Sequence, residues 1–201
     1  HDWLRGTCQY GILPANGMLY VPPHSCACCL KTKLSGLYGL VGSRDVGKIT
    51  ADRLEKGPAY GTLGSGASDT DWPTYRHDAS RSGMTDATVS TDPSTRWKAD
   101  FNGALTNPVV AGGRCYVAVI DRNTLHALDA ESGGRLWSYT AGGRIDSPPT
   151  VYRGLVLFGC ADGQVYALRA SDGALAWRYR VAPSRRQVVV ENRIESPWPI
   201  H

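Results

Sequence analysis

The sequence predicts an all-β protein, specifically an incomplete β-propeller of four-stranded antiparallel blades. Trp97, Trp137 and Trp177 are separated by 40 residues and again by 40, which is a blade-length period. The segments that lead to Trp137 and Trp177 also match each other, with Ala-Leu-Asp-Ala-Glu-Ser-Gly before the first and Ala-Leu-Arg-Ala-Ser-Asp-Gly before the second. Glycine (23 residues) and proline (12) are abundant, whereas methionine (2) and phenylalanine (2) are scarce, as expected for short strands joined by tight turns.

Each complete repeat contains four predicted strands. In the first repeat they lie near Pro108, at 115–120, at 125–129 and at 136–139. The long second strand of each repeat, 115–120 in the first and 155–160 in the second, is apolar at both alternating positions, which is typical of a strand covered on both faces. A third copy opens at 193–197, which resembles 144–148, and the sequence therefore predicts a blade that is interrupted at His201.

The N-terminal part of the chain divides into two predicted regions. Residues 1–42 form a divergent blade, because 15–21 parallels 111–117 and 37–40 parallels 125–128. Residues 43–70 contain no repeat and end in a Gly- and Ser-rich run, which predicts a flexible linker before propeller repeats at 71–201. Two complete copies, one divergent and one interrupted are too few to close most rings, so we expect the chain to be a fragment whose partners include the remaining blades.

The Ala-Leu-Asp-Ala-x-Ser-Gly-x-x-x-Trp pattern at 127–137 and its copy at 167–177 resemble the tryptophan-docking repeat of the PQQ-like (pyrroloquinoline-quinone-type) propeller family. The run from Trp72 to Gly83 resembles the segment that opens such a domain. This quinoprotein alcohol dehydrogenase-like group includes PQQ- and Ca²⁺-dependent dehydrogenases and cofactor-free scaffolds. The resemblance implies a structural role for Trp97, Trp137 and Trp177, each filling the gap between blades.

Charged residues recur in the predicted loops at one end of the blades. They are Asp121, Arg144, Asp146, Asp162, Arg193 and Glu195. The connection between Trp177 and Ser196 is nine residues longer than its counterpart, and elaborated loops on a rigid scaffold commonly carry function. One interpretation is a ring of ligand-contacting groups; the other is that these residues satisfy loop backbone groups and solvate the rim.

A second candidate site is a cysteine cluster in the N-terminal blade. An insertion of about eight residues holds His24, Cys26, Cys28 and Cys29, with Cys8 upstream. Thiolates and an imidazole can bind zinc or copper, although the spacing matches no standard zinc pattern. Disulfides, including one from Cys8 to the 26–29 segment, and free thiols are the alternatives.

Composition and motifs exclude several functions. The net charge of +4 is spread along the chain, which gives no basis for nucleic-acid binding, and no apolar run is long enough to span a membrane. No nucleophile-elbow, P-loop or zinc-protease motif is present. We therefore expect a noncatalytic scaffold that binds a protein or small ligand in the periplasm or outside the cell, without a cofactor. The alternatives are part of a PQQ/Ca²⁺ oxidoreductase and a thiol or metal module.

Overall fold

The structure is a computed structural model that describes residues 11–22, 37–40, 53–64, 66–190 and 192–201. The chain divides into two compact units, residues 1–50 and residues 51–201. In the described residues the only helical segment is a 3₁₀ turn at Ile120–Arg122, and none has the length and apolarity of a membrane-crossing helix. This confirms the predicted all-β class.

The first unit contains a three-stranded antiparallel sheet. Its strands are β1 (Leu13–Ala15), β2 (Met18–Val21) and β3 (Tyr38–Leu40), in the order β1-β2-β3. Asn16 and Gly17 both have positive φ values, 53° and 74°, as the tight turn between β1 and β2 requires. The cysteine cluster predicted for this unit, Cys8, His24, Cys26, Cys28 and Cys29, lies outside the described residues.

The second unit contains two complete blades. In the first, strands β5 (Val109–Ala111), β6 (Arg114–Val119), β7 (Thr124–Asp129) and β8 (Arg135–Thr140) pair in chain order. In the second, strands β9 (Thr150–Tyr152), β10 (Leu155–Gly159), β11 (Gln164–Arg169) and β12 (Leu175–Arg180) do the same. In both blades the third strand has an alanine opposite the tryptophan of the outer strand, Ala127 opposite Trp137 and Ala167 opposite Trp177. The register between these two strands shifts directly after that alanine in both blades. The repeat read from the sequence is thus a structural repeat.

The two blades pack face to face around one apolar core. Tyr116, Leu125, Val156 and Tyr166, from strands of both sheets, are fully buried in it. Burial of both faces is why β6 and β7 are apolar at successive positions, rather than alternating with polar residues. Cys115 and Cys160 are buried free thiols, and burial raises the pKa of each thiol.

The predicted linker differs from the structure. Within residues 43–70, strand β4 (Leu54–Lys56) pairs antiparallel with the outer edge of β12, so the second sheet has five strands. Ala59 follows and is completely buried beside Leu155 and Ala176. An edge strand presents unpaired N–H and C=O groups, and residues 53–59 satisfy those of β12. The second unit accordingly begins near residue 51 rather than at the predicted 71.

The opening segment connects the two innermost strands. Trp72 exchanges backbone hydrogen bonds with Val110 of β5, and the Pro73 carbonyl accepts one from the Val151 N–H of β9. The last two strands, β13 (Val188–Val190) and β14 (Arg193–Glu195), form a separate antiparallel hairpin. This hairpin occupies the long connection after β12. The described residues form no closed ring.

Candidate functional site

The candidate site is the end of the blades where the β6–β7 turn, the β10–β11 turn and the connections after β8 and β12 emerge. We call it the loop face, comprising residues 120–123, 141–149, 160–163, 181–190 and 192–196. Backbone hydrogen bonds join its segments: the Ala141 N–H donates to the Asn123 carbonyl, and the Ser196 N–H donates to the Ala161 carbonyl. All six charged residues predicted for ligand contact lie here.

Three of the six charged residues meet in one cluster. Arg144 Nε lies 2.6 Å from Glu195 Oε1, and its Nη2 lies 3.4 Å from Glu195 Oε2, so the guanidinium contacts both carboxylate oxygens. Asp146 Oδ1 lies 3.6 Å from Arg144 Nη1. Glu195 is only 5% exposed, and a buried carboxylate requires such a partner. The cluster therefore fixes the connection between the blades and β14.

The remaining three charged residues are placed separately. Arg193 Nη2 donates to Asp121 Oδ1 over 2.7 Å, and both side chains of this ion pair are partly exposed to solvent. Asp162 accepts hydrogen bonds from the Tyr166 hydroxyl at 2.5 Å and from the Gln164 amide at 3.0 Å. Burial and then the bond to Asp162 raise the pKa of the Tyr166 phenol. Most of these polar groups are thus bonded to one another.

Trp137 and Trp177 lie at equivalent positions of the outer strands β8 and β12, whereas Trp97 precedes the first blade and lies in no strand. The indole N–H groups of Trp97 and Trp137 each donate to a carbonyl 33 residues later, on Ala130 and Ala170, over 3.0 Å in both cases. Trp137 is 8% exposed, and Trp177 is half-buried against the β4 side of its sheet. Trp97 packs on Gly133, in the turn between β7 and β8, and Trp137 packs on Gly173, in the turn between β11 and β12. The indoles of Trp97 and Trp137 are thus each bonded to a backbone carbonyl and packed against a turn.

The residues of the loop face do not fit a Ca²⁺ site of the quinoprotein type. Calcium takes about six to eight oxygen ligands, which calls for converging carboxylates and carbonyls. Asp146 and Glu195 instead share the Arg144 guanidinium, and Asp121 is paired with Arg193. Within the described ranges, no group of three or more histidine, cysteine or acidic residues could hold a metal ion.

Sequence reasoning missed the hairpin on the loop face. The added length of the connection was visible, but not the β13–β14 pairing. Three consecutive valines at 188–190 followed by Asn192, which has a φ of 65°, are the signal that could have revealed it.

Comparison with known proteins gives a consistent family. The family model described as outer membrane protein assembly factor BamB matches residues 85–197, which is more than half of the chain. The chain is 48% identical over 84 residues to the factor from Burkholderia pseudomallei, covering 42% of this chain and 22% of that protein. It is 34% identical over 107 residues to the one from Escherichia coli K12, covering 45% of this chain and 27% of that protein. The chain thus spans about a quarter of the length of these curated relatives.

Among solved structures, the chain resembles a quinohemoprotein alcohol dehydrogenase from Comamonas testosteroni, with a TM-score of 0.48 and 23% identity over 57% of this chain and 20% of that one. It also matches BamB from Moraxella catarrhalis, with a TM-score of 0.32 and 24% identity over 34% of this chain and 20% of that one. The predicted PQQ-like resemblance is confirmed by the family match. The chain belongs to the outer membrane protein assembly factor BamB family of PQQ-type repeat proteins.

Proposed function

We propose that this chain is part of a noncatalytic β-propeller scaffold that binds a protein partner on the loop face during outer-membrane protein assembly in the periplasm. The observation that carries the proposal is the hairpin formed by β13 and β14. Its Val189 and Ile194 are directly opposite each other in the register and are 74% and 62% exposed. Exposed apolar side chains grouped on a polar surface are typical of interaction sites.

Alternation along β14 supports this function. Arg193 and Glu195, on either side of Ile194, contact Asp121 and Arg144 of the loop face. Because successive side chains of a strand point to opposite faces, Ile194 points away from those contacts. The two ion pairs thus hold the apolar side of the hairpin outward. The shared family with the assembly factors supports the choice of a protein partner.

Site-specific photo-crosslinking in the periplasm of a Gram-negative bacterium tests the proposal. A photoreactive phenylalanine analogue replaces Val189 in the exported chain, and in a matched control it replaces Tyr152, which is 59% exposed at the opposite end of the second blade. We expect position 189 to give discrete adducts that mass spectrometry identifies as outer-membrane proteins or other assembly factors.

The same adducts should disappear when Ile194 is replaced by aspartate. The carboxylate would lie directly opposite position 189 and would have to lose its hydration when the partner protein binds. Adducts of equal yield at position 152, or their persistence in I194D, would contradict the assignment of the partner surface to the hairpin.

A further inference from the structure

A cavity lined by arginines opens beside the outer edge of the second blade. Its volume is about 450 Å³. Four arginines line it, together with two carboxylates and two glutamines: Arg53, Arg178, Arg180, Arg185, Glu55, Asp162, Gln164 and Gln187. The cavity lies where β4 is added to β12 and extends to Asp162, Arg185 and Gln187 of the loop face. Neither the Arg144–Glu195 pair nor the exposed Val189 and Ile194 are among the described residues that line it.

Strand pairing brings like charges together in this cavity. Arg178 is opposite Glu55 in the β12–β4 register. Two residues further along β12, the backbone N–H of Arg180 donates to the Arg53 carbonyl over 2.9 Å. Residues 178 and 180 lie on the same face of β12, and residues opposite each other on antiparallel strands also share a face. Three arginines and one glutamate therefore occupy one small patch. Like charges directly opposite each other destabilise a sheet, and an anion bound between the two arginines would offset that repulsion.

The carboxylates of the cavity are already engaged. Glu55 Oε2 lies 2.8 Å from Arg178 Nε and 2.7 Å from its Nη2. Asp162 accepts hydrogen bonds from Tyr166 and Gln164. Arg180 Nη1 donates to the Ala182 and Pro183 carbonyls over 3.3 and 3.4 Å, and these carbonyls carry no full charge. The lining as a whole holds two more positive than negative charges.

We propose that this cavity is a binding site for a polyvalent oxyanion, with Arg53 and Arg180 as its principal ligands. A guanidinium remains charged at any physiological pH, and its planar set of N–H donors matches the oxygens of a phosphate or carboxylate group. The amide of Gln187, which also lines the cavity, supplies a further donor. Phosphate and carboxylate groups share this chemistry, and the experiment distinguishes them.

Isothermal titration calorimetry of the full chain with inorganic phosphate and with citrate, at low ionic strength, tests the site. We expect one saturable site for at least one of the two anions, and the tighter of them identifies the preferred group. Arg53→Gln and Arg180→Gln should each weaken binding by about tenfold or more, since each removes a charge-assisted hydrogen bond. Arg122→Gln is the matched control, because Arg122 is an exposed arginine of the β6–β7 turn outside the cavity, and it should leave the affinity unchanged.

Glu55→Gln is a variant in which the affinity for the anion should rise. Removing this carboxylate releases the Arg178 guanidinium, so anion binding should tighten severalfold, an effect that loss of fold would not produce. Circular dichroism of each variant confirms that it is folded. No saturable binding of either anion, equal weakening in Arg122→Gln, or weaker binding in Glu55→Gln would overturn the proposal.

Discussion

Replacing Gly173 by alanine is the sharpest test of how the blades pack. Gly173 has a φ of 74°, where any side chain adds about 1–2 kcal/mol of strain. A Cβ atom there would lie 2.6 Å from Cε3 and 2.8 Å from Cδ2 of Trp137. The Trp137 indole is held by its hydrogen bond to the Ala170 carbonyl, so the clash should add about 1–3 kcal/mol of overpacking. We expect the free energy of unfolding to fall by about 2–5 kcal/mol.

Gly113→Ala is the matched control for the backbone strain. Gly113 has nearly the same φ, 71°, but an added Cβ meets nothing within 4 Å. Gly113→Ala should therefore lower the free energy of unfolding by only about 1–2 kcal/mol. Urea unfolding followed by circular dichroism gives both values.

A double-mutant cycle isolates the contact between the tryptophan and the turn. Trp137→Ala should destabilise by about 3–5 kcal/mol, as other large-to-small core changes do. In that background Gly173→Ala should lose its clash and cost no more than Gly113→Ala. If Gly173→Ala and Gly113→Ala differ by less than about 0.5 kcal/mol in the parent chain, the inferred tight contact is refuted.

The remaining predictions concern the loop face, a buried histidine and the cysteines. Glu195→Ala should lower the free energy of unfolding by about 1–3 kcal/mol in urea titrations, because the half-buried Arg144 loses its closest carboxylate; an unchanged stability would contradict the role given to this pair. His126 is 7% exposed and burial lowers its pKa, so the unfolded chain takes up a proton near pH 6.5 while the folded chain resists it. Its contribution to stability should therefore be intact above about pH 6.5 and decline as the pH falls toward the lowered pKa, and His126→Gln should flatten that decline in unfolding measured from pH 7 to 5. Addition of PQQ with Ca²⁺ should leave tryptophan fluorescence unchanged and produce no dye-linked alcohol oxidation, whereas saturable micromolar binding lost in Glu195→Ala would favour a dehydrogenase. Cys8 should pair with a cysteine of the 26–29 segment in oxidised protein, and six free thiols under denaturing, nonreducing conditions would exclude it.

The blades could be predicted because their signals are local. The 40-residue spacing of the tryptophans and the glycine-closed turns identify each strand and its neighbour in the chain. Strands that follow each other directly also pair directly, so the order β5 to β8 and its repeat required no long-range information. The family resemblance was carried by the same residues.

The fifth strand of the second blade could not be predicted in this way. Leu54–Lys56 is too short to show an alternating pattern, and its three residues are exposed. Its assignment depends on β12, which lies more than 100 residues away in the chain. A Gly- and Ser-rich run nearby indicated a linker because composition reports the flexibility of a segment but not the presence of a distant edge to pair with.

The candidate site shows the same division. The sequence by itself placed Asp121, Arg144 and Asp146 in connections at one end of the blades, since the repeat fixes where each turn falls, whereas Arg193 and Glu195, predicted for the same loops, lie on strand β14. Only the tertiary structure decided that Arg144 bonds to Glu195, 51 residues away, and that Arg53, just before β4, shares one cavity with Arg178 and Arg180 of β12. Turn positions follow from local backbone preferences. The partner of a charge depends on which distant side chains the packed sheets bring within hydrogen-bond distance and shield from water.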